Sequence, residues 1–146
     1  MTVSVAQGNP KLPCVGILLV EDDDAIREAL RYALEYEGYD VSSASNGQDA
    51  LDKLKTLPRP CLVLLDLMMP VMNGWELAEN LSKDAVLSTI PVVIVTAFSE
   101  KVGELAKTHR ILKKPMGIDL LLSVAHEYCG QPPQALGKPP LRPVEL

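Results

Sequence analysis

Carboxylate side chains follow two apolar segments of this chain, at the point where each segment ends. Asp66 follows an apolar run at 61–65, and Glu21 and Asp22 follow an apolar run at 15–20. We interpret both runs as neighbouring parallel strands, so the carboxylates are expected to meet at one edge of a sheet. Crowded carboxylates repel one another unless a hard cation neutralises them, and oxygen ligands suit Mg²⁺ better than a soft metal. The sequence therefore predicts a Mg²⁺ site in which an aspartate can accept a phosphoryl group.

The acidic run continues through Asp23 and Asp24. Carboxylates in the first turn of a helix are stabilised by the positive end of the helix dipole, and we assign both residues to that role. Glu21 and Asp22 remain the candidates for the metal. Asp66 has a plainer alternative as a turn residue, but the end of an apolar strand is an unfavourable place for a charge without a function.

Length and composition predict one domain with an aliphatic core. The chain has 146 residues, enough for a single core, and 47% of them are hydrophobic but only 4% aromatic. A core of Leu, Val, Ile and Ala is typical of helices packed on a parallel sheet. The net charge of -5 and the lack of a Lys/Arg cluster argue against a nucleic-acid surface.

The sequence carries no signal of a membrane protein. No apolar run approaches the length needed to cross a bilayer, and the first residues lack the basic start and apolar stretch of a signal peptide. We therefore expect a cytoplasmic protein without a membrane partner.

The chain has three cysteines, Cys14, Cys61 and Cys129, without the CxxC spacing of a zinc site. We expect all three to be reduced core residues. Cys14 and Cys61 lie near the starts of neighbouring predicted strands, which leaves a pairing between them open. His109 and His126 have no partner at metal-ligand spacing, so we interpret them as solvated or helix-end residues.

Prolines are concentrated at the two ends of the chain. Such segments cannot form helices, and they are typical of a linker, a partner peptide or disorder. We predict a flexible N-terminal tail at 1–13, one folded domain at 14–130 and a Pro-rich disordered tail at 131–146.

Between the tails, short apolar runs alternate with segments of helical periodicity. Strands are predicted at 15–20, 39–42, 61–65, 92–95 and 111–113. The clearest helical stripe consists of Ile26, Ala29, Leu30, Ala33 and Leu34, and it ends at Gly38. Four further helices are marked by Ala50 and Leu54, by Leu77 and Leu81, by Val102 and Leu105, and by Ile118 and Leu121. This alternation predicts an α/β fold, a doubly wound (βα)5 three-layer sandwich whose parallel sheet is covered on both faces.

Four polar signals stand at the ends of the predicted strands. They are Glu21-Asp22 after the first strand, Asp66 after the third, Thr96-Ala97 after the fourth and Lys114-Pro115 after the fifth. Together these residues resemble the receiver domain of two-component response regulators, and the resemblance covers residues 15–128. It implies a flavodoxin-like sheet with the strand order 2-1-3-4-5.

The resemblance implies that Asp66 accepts a phosphoryl group. Because an aspartate is a poor nucleophile toward an anion, Mg²⁺ held by Asp22 and Asp66 is needed to offset both charges. The carbonyl of Met68 is implied as a further metal ligand, and Glu21 is implied to act mostly through water.

The resemblance also implies that the other residues at the strand ends bind the phosphoryl group. Lys114 pairs with Asp66 before phosphorylation and with phosphoryl oxygens after it. The Thr96 hydroxyl donates to another oxygen, and backbone amides near Met68 and Ala97 donate to the rest. The bond after Lys114, which precedes a proline, is expected to be cis.

Two features depart from the family pattern. Seventeen residues separate Thr96 from Lys114 and include Gly103, so the fourth helix is expected to be about one turn shorter than usual. Ile111 stands where many receivers carry an aromatic residue that rotates with the threonine. We expect the face formed by the fourth helix, fifth strand and fifth helix to signal differently or not to dimerise in the common way, so the protein is expected to be a monomer or weak dimer.

Three classes of function fit an aspartate at the end of a buried strand. The first is a stand-alone, single-domain response regulator, which is not an enzyme; it takes a phosphoryl group from a sensor histidine kinase or phosphotransfer protein and signals to a protein partner. A phosphohydrolase with an aspartyl nucleophile usually carries a second aspartate two positions on, where this chain has Met68. The third class is an adaptor that keeps the fold without being phosphorylated, and such a protein is expected to lack Asp66, Lys114 or the pair Glu21-Asp22. This chain has all of these residues. The sequence therefore favours the response regulator.

Overall fold

The computed structural model describes residues 16–56, 60–69, 71–97 and 102–130 of the chain. Its strands are β1 (Ile17–Val20), β2 (Val41–Ala44), β3 (Leu62–Asp66), β4 (Val92–Thr96) and β5 (Arg110–Lys113). They form one parallel sheet in the order β2-β1-β3-β4-β5. The helices are α1 (Asp24–Glu37), α2 (Gly47–Thr56), α3 (Gly74–Ser82), α4 (Leu105–Thr108) and α5 (Ile118–Cys129), and a short 3-10 helix spans Leu87–Thr89. The predicted fold class and strand order are confirmed.

Helices cover both faces of this sheet. Along β1, Ile17 and Leu19 pack with α1 and α5 in one core layer, and Leu18 and Val20 pack with α2 and α3 in the other. Every residue of β1 and of β3 is buried. A strand that is apolar on both sides needs a helix on each side, which the crossovers between parallel strands supply. The acids at the ends of β1 and β3 therefore border a two-sided core.

Helix α1 begins and ends where its local sequence predicts. The side chain of Asp23 accepts a hydrogen bond of 3.0 Å from the backbone N–H of Ile26, so Asp23 is the N-cap. Gly38 ends the helix with a φ of 114°, a left-handed conformation that glycine adopts without steric cost. Asp24 lies in the first turn of α1 as expected, whereas Asp23 precedes that turn and caps it.

Helix α3 begins with a reciprocal cap. The Asn73 side chain accepts a hydrogen bond of 2.9 Å from the N–H of Glu76, and the Glu76 carboxylate accepts one of 3.0 Å from the N–H of Asn73. These two bonds fix the direction in which the chain leaves the loop after β3.

Strand β2 begins at Val41, two residues later than the sequence predicts. Tyr39 is instead buried with α1 and α5, and its hydroxyl donates a hydrogen bond of 2.8 Å to the carbonyl of Gly130. The N–H of Ile17 donates to the carbonyl of Asp40, and Ile17 pairs in register with Val41. The propensity of a tyrosine for strands is outweighed here by its packing between two helices.

Helix α4 is a single turn of four residues, so the expectation of a short fourth helix is confirmed, but Val102, which marks this helix in the sequence, lies before it. The peptide bond between Lys114 and Pro115 is cis, which is also as expected. The tails predicted at 1–13 and 131–146 lie outside the described residues. Within the described ranges, no helix combines the length and the apolar character needed to cross a membrane.

The expectation that Cys61 is reduced is wrong. Cys61 is disulfide-bonded, whereas Cys129 is a buried free thiol whose Sγ lies 2.6 Å from that of Cys61. Cys14, for which a pairing was left open, lies outside the described residues. Cys61 precedes β3 and Cys129 ends α5, and these two elements pack in the same core layer. The fold therefore places both cysteines at the amino ends of the strands, opposite to the acids.

Gly74 packs against backbone, and this predicts its response to substitution. A Cβ at this position would lie 2.6 Å from the carbonyl oxygen of Asp66 and 2.7 Å from the Cα of Leu67. Because backbone atoms cannot rotate away, we expect Gly74→Ala to lower the free energy of unfolding by about 1–3 kcal/mol, the usual cost of overpacking. Urea unfolding followed by circular dichroism measures this change. Gly117→Ala is the matched control, since apart from its chain neighbours no atom of the described residues lies within 4 Å of a Cβ placed there. Equal effects of the two substitutions would contradict the role of the close contact.

Candidate functional site

Three carboxylates converge at the carboxyl ends of β1 and β3. Oxygen atoms of Glu21, Asp22 and Asp66 all lie within 4.8 Å of one another. Glu21 and Asp66 are buried, whereas Asp22 is exposed. The strand register explains why these acids meet. Val20 of β1 pairs with Leu65 of β3, so the residues that follow them, Glu21 and Asp66, lie side by side. The structure brings together the three acids that the sequence singles out.

The ammonium group of Lys114 enters the same crevice. Its Nζ lies 2.8 Å from Oε1 of Glu21 and 4.0 Å from Oδ1 of Asp66. The Lys114 side chain is only 15% exposed, so these charges are partly shielded from water. From the sequence we expect a pair between Lys114 and Asp66. The structure places the shorter contact at Glu21, which follows β1, although β3 and β4 lie between β1 and β5 in the sheet.

The remaining candidate residues lie at the end of β4 and in the loop after β3. Thr96 is buried as the last residue of β4, and its carbonyl accepts a hydrogen bond of 2.8 Å from the backbone N–H of Lys114. Ala97 follows and is exposed. The backbone N–H of Met68 lies near enough to the carboxylate of Asp66 to lower its pKa. The structure thus places Met68 at the candidate acceptor and ties Thr96 to the residue that carries the ammonium group.

The carboxyl group of Asp66 is harder to ionise than that of an ordinary aspartate. Burial, followed by the negative charges of Glu21 and Asp22, raises its pKa from 3.8 to about 6. The positive charge of Lys114 and the N–H of Met68 act in the opposite direction without cancelling this effect. The ammonium group of Lys114 and the N–H of Met68 therefore compensate only part of the negative charge in the crevice.

The donors in this crevice fit a hard divalent cation. The three side chains offer only carboxylate oxygens, and the uncompensated charge favours a cation beside Asp66. An open cavity of about 390 Å³ borders the crevice, and its lining includes Asp22, Met68, Asn73 and Trp75. Mg²⁺ usually keeps several of its waters, and the cavity has room for them.

Arg27 contacts this site although no sequence motif marks it. Its Nη1 donates a hydrogen bond of 2.9 Å to the backbone carbonyl of Glu21. In the sequence, Arg27 is marked only by its position three residues after Asp24, a spacing at which opposite charges pair on the surface of a helix. That spacing does not reveal the contact with Glu21, because the helical period does not extend into the loop before α1.

The raised pKa of Asp66 predicts how stability depends on pH. Between about pH 3.8 and about pH 6 the folded chain keeps a proton on Asp66 that the unfolded chain has lost. The protonated Asp66 therefore contributes its full stability to the fold below this pH range, and this contribution is lost as pH rises through the range. We expect the metal-free native chain to lose about 3 kcal/mol relative to Asp66→Asn between about pH 4 and about pH 7, since one pKa unit corresponds to about 1.4 kcal/mol. Urea unfolding of both proteins in EDTA measures the difference. A pH-independent difference would show that Asp66 ionises as an ordinary carboxyl group.

Known proteins are similar to this chain over most of its length. The family model of the response regulator receiver domain matches residues 17–126. Response regulator MprA of Mycolicibacterium vanbaalenii is 39% identical over 113 residues, covering 75% of this chain and 48% of that protein. The transcriptional regulatory protein CpxR homolog of Haemophilus influenzae is 41% identical over 103 residues, covering 70% of this chain and 40% of that protein. The chain therefore spans half or less of the length of these curated relatives.

Solved structures agree with the same assignment. Response regulator protein TrrA of Thermotoga maritima, in complex with Mg²⁺-BeF, is 31% identical with a TM-score of 0.68, over 77% of this chain and 96% of that chain. A CheY-like response regulator receiver domain protein of Methanospirillum hungatei is 30% identical with a TM-score of 0.67, over 76% of this chain and 90% of that chain. The family match runs from β1 into α5 and includes the three acids and Lys114. The chain belongs to the family of response regulator receiver domains.

Proposed function

We propose that this receiver domain accepts a phosphoryl group on Asp66 in a Mg²⁺-dependent reaction, from a sensor histidine kinase or a phosphotransfer protein. The proposal is carried by the buried carboxylate of Asp66, which is crowded by Glu21 and Asp22 and approached by Lys114 at 4.0 Å. An acid that only supported the fold would be exposed or fully paired. With a pKa of about 6, Asp66 is ionised at neutral pH and can act as a nucleophile.

The proposed transfer forms one bond and breaks another. An oxygen of the Asp66 carboxylate attacks the phosphorus atom of a phosphohistidine, an O–P bond forms, and the P–N bond breaks with its electron pair returning to the imidazole. Bound Mg²⁺ supplies positive charge at the carboxylate and at the phosphoryl oxygens. Asp22, Asp66 and the carbonyl of Met68 are its proposed ligands, and Glu21 is proposed to act through water.

Lys114 is proposed to bind the phosphoryl group once it has been transferred. Its ammonium group contacts Glu21 at 2.8 Å, and rotation about its flexible side chain can bring it to an oxygen on Asp66. The hydroxyl of Thr96 and the backbone amides of Met68 and Ala97 are the proposed donors to the other oxygens.

The proposed output is a phosphorylation-dependent interaction with a protein partner. Ile111 is half-buried on β5 and pairs in register with Ile94 of β4. An isoleucine has a stiff χ1 angle and no ring that can rotate. We therefore propose that a change at Thr96 reaches the surface through the paired ends of β4 and β5, which the hydrogen bond from Lys114 to the Thr96 carbonyl connects.

Mass spectrometry of the intact protein tests the acceptor and the metal together. After incubation with acetyl phosphate and Mg²⁺, we expect the native chain to gain the mass of one phosphoryl group, and we expect the adduct to be labile because it is an acyl phosphate. Asp66→Asn and the native chain in EDTA should gain no such mass.

Asp23→Asn is the matched control for this experiment. Asp23 belongs to the same acidic run, but its side chain caps α1, a role that asparagine also fills. The variant should therefore be phosphorylated like the native chain. An adduct that persists in Asp66→Asn would place the acceptor elsewhere, and a folded native chain without an adduct would overturn the proposed function.

A further inference from the structure

The side chain of Arg27 reaches back from the first turn of α1 over the acidic loop. Its Nη1 donates hydrogen bonds of 2.9 Å to the carbonyl of Glu21 and 3.5 Å to the carbonyl of Asp22. Its Nη2 donates to the carboxylate of Asp24 at 2.5 Å. The Arg27 side chain is 16% exposed, whereas that of Asp24 is 88% exposed. The guanidinium group therefore lies against the loop, with only its acidic partner in solvent.

These contacts restrain the peptide groups that carry the two acids. A peptide group held by its carbonyl has a restricted orientation, and this orientation sets the direction of the neighbouring Cα–Cβ bonds. The Glu21 carboxylate is held as well, because Oε1 accepts from Lys114 at 2.8 Å and Oε2 accepts from the N–H of Asp23 at 3.1 Å. Asp22 has no comparable side-chain hydrogen bond among those of the described residues. Its direction therefore depends on the backbone that Arg27 holds.

We propose that Arg27 is a positioning residue for the cation site, which holds the loop so that the carboxylates of Glu21 and Asp22 face Asp66. This inference rests on the proposed function in taking these acids as the Mg²⁺ site. The planar guanidinium group suits the task because it donates in several directions at once, whereas an ammonium group is a single compact charge. Groups that orient metal ligands without touching the metal typically change metal affinity by about 10–100-fold when removed.

The charge of Arg27 has the opposite effect on a bound cation. A positive guanidinium group near the acids repels Mg²⁺, so its removal by itself would strengthen Mg²⁺ binding. Loss of positioning would weaken binding. The sign of the change in Mg²⁺ affinity therefore separates the two roles.

Arg31 provides a matched control one turn further along α1. It also pairs with an acid three residues earlier, since its Nη2 lies 2.7 Å from the carboxylate of Glu28. Both the Arg31 and the Glu28 side chains are more than a third exposed. Among the hydrogen bonds of the described residues, Arg31 makes none to the acidic loop. Arg31→Met removes the same charge from the same helix without freeing the loop carbonyls.

The experiment compares Mg²⁺ affinity in the native chain and in Arg27→Lys, Arg27→Met and Arg31→Met. Isothermal titration calorimetry with Mg²⁺ alone gives the affinity, and the fluorescence of Trp75 is a second readout because this single tryptophan lines the cavity with Asp22. We expect both Arg27 variants to bind Mg²⁺ about 10-fold more weakly than the native chain. Arg31→Met should bind like the native chain. Thermal unfolding in EDTA establishes that each variant is folded.

Every other outcome of this experiment contradicts a specific part of the proposal. Unchanged or tighter Mg²⁺ binding by Arg27→Met would overturn the positioning role and leave only charge repulsion. Native affinity in Arg27→Lys would overturn the need for a guanidinium group. If Arg27→Met does not fold, Arg27→Lys decides the question, because it keeps the charge and most of the side-chain length. A native chain that binds no Mg²⁺ would instead overturn the cation site of the proposed function, and the positioning role with it.

Discussion

The site depends on one constraint, the burial of the Asp66 carboxylate at the end of a strand covered on both faces. Strand β3 is buried along its whole length, and its last side chain, that of Asp66, is only 10% exposed. A charge in such a place is unfavourable unless nearby groups offset it, and the charge of Glu21 makes it more so. Lys114 and the N–H of Met68 offset this charge in part. The remaining negative charge makes the crevice suited to a cation.

The loop after β3 is packed so closely that it cannot relieve this charge by moving away. The N–H of Gly74 donates a hydrogen bond of 2.9 Å to the carbonyl of Leu67, and the N–H of Gly47 donates one of 2.8 Å to the carbonyl of Met72. A Cβ at either glycine would lie 2.6 Å from a carbonyl oxygen. The loop is therefore held against α2 and α3, and the Asp66 carboxylate keeps an unfavourable electrostatic environment within a well-packed backbone.

Positive charge around the crevice is divided between two side chains that are held differently. Lys114 contacts carboxylates only through the end of a flexible chain, so its charge can move within the crevice. Arg27 is bound to backbone carbonyls and to Asp24, so its charge is fixed outside the acids. A movable positive charge can follow a change at Asp66, whereas a fixed one can keep the geometry of the acidic loop constant during that change. The structure thus combines adaptability and preorganisation in one small site.

The sequence by itself determined the order of strands and helices along the chain, the glycine that ends α1 and the identity of the acids, because periodicity, helix-stop signals and strand-end signals are local. It did not determine the start of β2, because Tyr39 is buried through a contact with Gly130, which is distant in sequence. Nor did it determine that Lys114 lies closer to Glu21 than to Asp66, or that Arg27 binds the acidic loop. Those contacts depend on which strand ends are neighbours and how far each side chain reaches across them. Residue types established which groups could do chemistry, and only the tertiary structure decided which of them meet.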